Sequence, residues 1–227
     1  MNRSPRALIV VLVMIVAASA ALAQEAKVAA PAPLPKPGPD GKIEVFNGKD
    51  LTGWYGDESV YHVENGELVG KTEKGLKQNE FLKSRFEVGD FRLVCQMKLV
   101  PNSANSGIQF RSVVFKGNEM KGYQADAGAG WWAKLYEESG RGILVKEGGE
   151  QWVNKDDWNT YEVVAVGHKI MIAINGHQTV DLDDEQGATR GIFGLQVHAG
   201  GPTEVRFKDF ELELNPKAEL KTVKEGK

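Results

Sequence analysis

Between Asn105 and Asp126 apolar and polar residues alternate with the period of a β-strand. In SGIQFRS and GYQADAG, Ile108, Phe110, Tyr123 and Ala125 fall on one parity, and Gln109, Arg111, Gln124 and Asp126 on the other. GLQVHAG repeats the pattern, with Leu195 and Val197 opposed to Gln196 and His198. The pattern predicts three strands that bury one face and offer amides, a cation, a carboxylate and an imidazole on the other. That set suits a groove holding a hydroxyl-rich ligand. The alternative is an ordinary polar sheet exterior, which is more often furnished with Lys, Glu and Thr.

Strand signals continue along the chain, punctuated by Asn47-Gly48, Asn65-Gly66, Gly89-Asp90 and Asn175-Gly176. YEVVAVGHKIMIAINGHQTVDL reads as consecutive strands. Gly167 sits in one turn, and Asn175-Gly176 suits a type I′ hairpin, whose two central residues need positive φ. Apolar groups on both parities of Tyr161–Val166 predict a strand in the middle of a sandwich. In VRFKDFELEL the parity slips at Lys208-Asp209, which predicts a β-bulge. Long helical periodicity is absent. About a dozen strands in one unit predict two packed antiparallel sheets, an all-β jelly-roll sandwich with a single core.

Met1 to Ala23 has the plan of a cleavable signal peptide: Arg3 and Arg6, an apolar run from Ala7 to Ala17, then Ala21-Leu22-Ala23 before a cut at Gln24. The expected location is the periplasm or the cell exterior, with no membrane span once the leader is removed. Residues 24–41 are a proline-rich spacer, 42–215 the folded domain and 216–227 a charged tail expected to fray. With 28 basic and 31 acidic residues, a net charge of -3 and no pronounced basic run, nucleic acid is not an expected partner. Cys95 is the only cysteine, so no internal disulfide can form, and its parity with Leu93 and Met97 predicts a buried thiol.

Several chemistries lack their signatures. His62, His168, His177 and His198 are scattered, with no zinc-binding spacing, and neither a nucleophile elbow nor a phosphate loop occurs. The sequence requires no cofactor, though a divalent metal stays compatible with it. GAGWW reads as a loop that sets Trp131 or Trp132 against a sugar ring, or packs over the sandwich edge. In KLYEESGRG, Lys134, Tyr136 and Glu138 share the groove face if Leu135 points to the core, and Glu137 or Glu138, near Asp126 and Arg111, can complete the pair of carboxyls that acid–base work on sugars needs.

FNGKDLTGW, YHVENGELVG, GDFRLVCQMKL, NSGIQFR, GYQADAG, WNTYEVVAVGHKIMIAINGHQTVD and GLQVHAG resemble the 3-keto-disaccharide hydrolase domain family, from Val45 to Leu214. The resemblance implies a concanavalin A-like lectin and glucanase sandwich acting on oligosaccharides or 3-keto-glycosides. Where many relatives carry a glutamate this chain has Gln124, leaving Asp126 as the carboxylate on that face. The implied chemistry is removal of the C2 proton beside a C3 carbonyl, loss of the C1 substituent and addition of water. In that scheme Asp126 or His198 is the base, Glu138 the leaving-group acid, and Arg111 with Lys134 the enolate stabiliser. Gln109, Gln124, Gln196, Tyr136 and a loop tryptophan hold the sugar. A non-catalytic glycan-binding module of the same fold is the alternative.

Overall fold

The protein is described by a computed structural model over residues 33–38 and 41–224. The signal peptide expected at 1–23, and most of the spacer at 24–41, lie outside the described residues. The chain runs through β1 (Trp54–Tyr55), β2 (Tyr61–Glu64), β3 (Glu67–Thr72), β4 (Glu80–Val88) and β5 (Phe91–Val100). β6 (Asn105–Val114), β7 (Met120–Gly128), β8 (Leu135–Glu138) and β9 (Gly142–Val145) follow as a meander. A 3-10 turn at Glu150–Trp152 leads to β10 (Asn159–Val166), β11 (Lys169–Ile174), β12 (His177–Asp183), β13 (Gly191–Val197) and β14 (Thr203–Leu214).

These strands form two seven-stranded antiparallel sheets. The site sheet has the order β1-β4-β13-β6-β7-β8-β9, and the back sheet β12-β11-β10-β5-β14-β3-β2. The strands expected to carry the polar parity, β13, β6 and β7, are therefore hydrogen-bonded neighbours although one of them is distant in sequence. One apolar core lies between the sheets, centred on rings that meet edge to face: Phe193 is 4.9 Å from Phe91 and 6.2 Å from Phe86. Cys95 is buried there, and burial pushes its thiol up to about 12, so it is an inert packing group.

The local expectations for turns and register hold. Asn175 and Gly176 adopt φ of 51° and 83°, as the type I′ hairpin demands. β10 lies between β11 and β5, and β14 shifts register between Lys208 and Glu211 with Asp209 at φ 53°. The charged tail, by contrast, is tied down as far as Lys224, where the described residues stop. The backbone N–H groups of Lys221 and Thr222 each donate to the buried Glu162 carboxylate at 2.8 Å, and the Thr222 hydroxyl donates at 2.6 Å. Arg92 grips the same carboxylate through Nε, and the Lys224 N–H donates to Gly176 O. The charge that suggested fraying hid main-chain donors that a buried acid can use.

Candidate functional site

A cleft of about 270 Å3 opens on the outer face of the site sheet, lined by Asn105, Gln124, Asp126, Trp131, Tyr136, Glu138 and His198. Alternation puts Gln124 and Asp126 on this face of β7 while Tyr123, Ala125 and Ala127 enter the core. β8 pairs so that Tyr136 lies opposite Gln124 and Glu138 opposite Gly122, which carries the second carboxyl onto the same face. Gly107 is the cross-strand partner of Asp126, and a β-carbon there would sit 2.6 Å from the Gln124 side-chain carbonyl carbon. Gln124 thus lies across a gap that only glycine leaves.

Asp126 is 3% exposed and, among the described residues, makes no ion pair. Burial pushes its carboxyl up to about 7; the hydrogen bond from Gln124 opposes the rise, the charge of Glu138 adds to it and Lys134 offsets part. Glu138 is raised as well, by burial and by Glu119, against a lowering pull from His198. Two carboxyls that hold protons more tightly than usual thus share one cleft. The His198 Nδ1 lies 2.6 Å from the Ala199 carbonyl oxygen. A carbonyl accepts only, so Nδ1 carries the hydrogen and Nε2 is left as the basic nitrogen.

The GAGWW turn sends its two tryptophans opposite ways. Trp131 is 36% exposed and meets Tyr136 edge to face at 6.2 Å in the cleft, with the Lys134 ammonium 5.5 Å from its ring centre. Trp132 is not in the groove. It is buried in the core, tilted against Tyr161 at 6.3 Å, and its Nε1 donates to Asn102 Oδ1 at 2.8 Å. Lys134 acts on the site through its charge on Asp126 and its place over Trp131, and does not line the cleft.

Arg111 corrects the alternation expected for β6. The register breaks between Phe110 and Val113, Arg111 takes φ 47°, and its side chain turns away from the cleft. Its guanidinium donates to Gly89 O at 3.0 Å, Gly167 O at 2.7 Å and Asp90 Oδ1 at 3.0 Å, and it is 1% exposed. It pins two turns together and is not available to an enolate. Ser112 takes the vacated direction and contacts Gln109 at 2.6 Å. Gln109 and Gln196 face the expected way, but both are fully buried beneath the cleft, where they hydrogen-bond Gln124. Asn105, absent from the sequence-derived set, lines the cleft; it shares parity with Gln109, so alternation alone could have named it.

No group of three or more His, Cys, Asp or Glu side chains among the described residues is arranged to hold a metal ion. The described residues therefore do not fit a three-ligand metal centre. No helix among the described residues is long and apolar enough to cross a membrane.

Two antiparallel seven-stranded sheets with a polar cleft on one outer face define a concanavalin A-like sandwich of the lectin and glucanase type. Solved structures share the fold. A Parabacteroides distasonis protein, described provisionally as a glycosyl hydrolase, superimposes with a TM-score of 0.60 at 18% identity, covering 78% of this chain and 95% of that one. The carbohydrate-binding module CBM66 of Bacillus subtilis gives 0.57 at 17% identity, covering 71% and 95%. The kappa-carrageenase of Pseudoalteromonas carrageenovora, solved with an oligotetrasaccharide, gives 0.51 at 13% identity, covering 78% and 94%. No curated protein matches the chain. The chain belongs to the 3-keto-alpha-glucoside-1,2-lyase-like domain family, whose model matches residues 41–213.

Proposed function

We propose that the protein cleaves 3-keto-glycosides by acid–base chemistry in the Asp126 cleft. The observation that carries this reading is one buried and one half-buried carboxyl, both with raised proton affinity, sharing one cleft with an imidazole and an aromatic pair. Binding alone has no use for proton carriers tuned in this way. His198 Nε2 takes the C2 proton, and the electron pair passes to the C3 oxygen. Asp126, in its acid form, donates a hydrogen bond to that oxygen, a role open to a carboxyl kept neutral by burial. The pair then returns to expel the C1 substituent, Glu138 protonates the departing oxygen, and water adds across the resulting C1–C2 double bond. Trp131 and Tyr136 offer ring faces and edges to the sugar, and the Lys134 ammonium adds positive charge nearby.

With Arg111 committed elsewhere, stabilisation of the enolate falls to Asp126 and Lys134. The sequence leader carries the same proposal to the periplasm or cell exterior, and N-terminal sequencing of exported protein checks it. The direct test is release of a chromogenic leaving group from a 3-keto-glucoside, against the unoxidised glucoside, with and without chelator. Release from the keto sugar alone is the expected result. No release across a range of leaving groups would replace the enzyme with a glycan-binding module.

A further inference from the structure

Beneath the cleft runs a row of hydrogen bonds that ends on Asp126. Ser112 Oγ is 2.6 Å from Gln109 Oε1, Gln109 Nε2 is 3.0 Å from Gln124 Oε1, and Gln124 Nε2 is 2.6 Å from Asp126 Oδ1 and 3.3 Å from Gln196 Oε1. All five side chains are buried. Written in this direction, with Asp126 as a carboxylate, the row is poorly satisfied at both ends. Gln196 Nε2 is the buried side-chain atom that finds no partner among the described residues. Ser112 has one proton but faces three acceptors: Gln109 Oε1, Phe110 O at 3.0 Å and Tyr123 O at 3.4 Å.

The two ends of an amide are isosteric, so each glutamine can turn over in place. We propose that the row runs the other way, with Gln124, Gln109, Ser112 and Gln196 as positioning residues that hold Asp126 as a carboxylic acid. Asp126 Oδ1–H then donates to Gln124 Oε1, Gln124 Nε2 to Gln109 Oε1, and Gln109 Nε2 to Ser112 Oγ, whose proton is free for Phe110 O. Gln196 Nε2 donates to Gln124 Oε1, and the vacancy moves to an oxygen, the kind of group more often left under-satisfied in buried interiors. The 2.6 Å contact between Gln124 and Asp126 has the length of an O–H···O bond, short for an amide donor. The Ser112–Gln109 contact is 2.6 Å too, and the reversed row requires it to lengthen to about 2.9 Å, since an amide then donates across it.

The surroundings favour the acid. Lys134 is the cation that acts on Asp126, without a salt bridge, while Glu138 of β8 opposes ionisation. Tyr136 and His198 complete the titratable wall of the cleft, and the Tyr161 hydroxyl is spent on the Asp126 main-chain oxygen at 2.5 Å. When the carboxyl ionises, the row must reverse as a unit, so the proton on Asp126 is sensed at Ser112.

The inference rests on the proposed site for its consequence, but its test needs no substrate. Infrared spectra of protein labelled with 13C-carboxyl aspartate, compared with Asp126→Asn, report the protonated carboxyl directly. The expected result is an acid C=O band that persists at pH 6.5 in the wild type; full ionisation of Asp126 by pH 5 would overturn the proposal. Ser112→Ala then reads the direction of the row. Loss of the acceptor for Gln109 Nε2 should lower the Asp126 midpoint by roughly half to one pH unit. A rise, or no change, means that Ser112 donates and that the row runs from Ser112 to a carboxylate. Failure of keto-glycoside cleavage would leave both readouts standing.

Discussion

Glu137 and Glu138 are adjacent on β8, yet they live on opposite faces of the β7–β8 ladder. On the core side, Glu137 and Asp184 close on Arg141, with Nε 2.6 Å from one carboxylate and Nη2 2.6 Å from the other, and Tyr123 donates to Asp184 at 2.5 Å. The hydrogen bonds from Arg141 hold both acids below the usual carboxylate range. On the cleft side, Asp126 and Glu138 have no such partner, and burial drives both upward. The same pair of strands therefore borders a locked charge cluster on one face and carries two carboxyls of raised proton affinity on the other. What separates them is a guanidinium on the one face and deeper burial on the other.

The largest expected break in that contrast comes from Asp126→Ala. It removes the hydrogen bond offered to the developing enolate oxygen and should reduce kcat on a 3-keto-glycoside by about a hundredfold to a thousandfold, the range for loss of one such donor, while leaving sugar affinity within about threefold. Loss of affinity with no catalytic defect would favour the binding module. Asp126→Asn, which keeps a donor in place, exposes the cost of the buried acid. The carboxyl rises from 3.8 to about 7 on folding, so its stabilising contribution is full below pH 4 and is lost as pH rises toward 7. Asp126→Asn should therefore gain on the wild type as pH increases, by at most about 4 kcal/mol at pH 8 in denaturant titrations. Equal pH profiles would mean that Asp126 ionises freely.

On the locked face, Arg141→Met should destabilise the fold by about 1 to 3 kcal/mol, below the range for fully buried pairs because Arg141 is partly exposed. Residual activity at a temperature where the variant is folded should fall less than tenfold, which separates holding the ladder from doing chemistry. The smallest effect is reserved for Trp131→Ala. Loss of its ring should raise KM by about fivefold to twentyfold, a cost of about 1 to 2 kcal/mol, with kcat little changed.

Much of this was legible in the alternation. Gln124 and Asp126 face the cleft because two-residue periodicity is a property of the backbone, and Tyr136 and Glu138 follow by pairing. Arg111 escaped the same rule because a bulge resets parity, and nothing in QFRS announces one. Trp131 and Trp132 were inseparable in sequence; the tight turn after β7 splits them, and Asn102, from a different loop, receives the buried indole. The depth of Gln109 and Gln196 was also hidden, since burial on the outer face depends on how neighbouring strands and loops cover it. Parity predicts direction; it does not predict cover.

The tail bound to Glu162 bears on where this protein ends as a unit of folding. The family's signature stops at residue 213, before Lys221 and Thr222 deliver three of the hydrogen bonds that neutralise a carboxylate buried in the back sheet. A chain trimmed to that signature would keep every residue of the cleft and still leave an acid in the opposite sheet answered chiefly by Arg92. Such a chain should melt earlier than the full one while its chemistry stays intact. The stretch that makes the sequence recognisable and the stretch that stabilises the fold therefore differ in length, and the difference is written in main-chain amides.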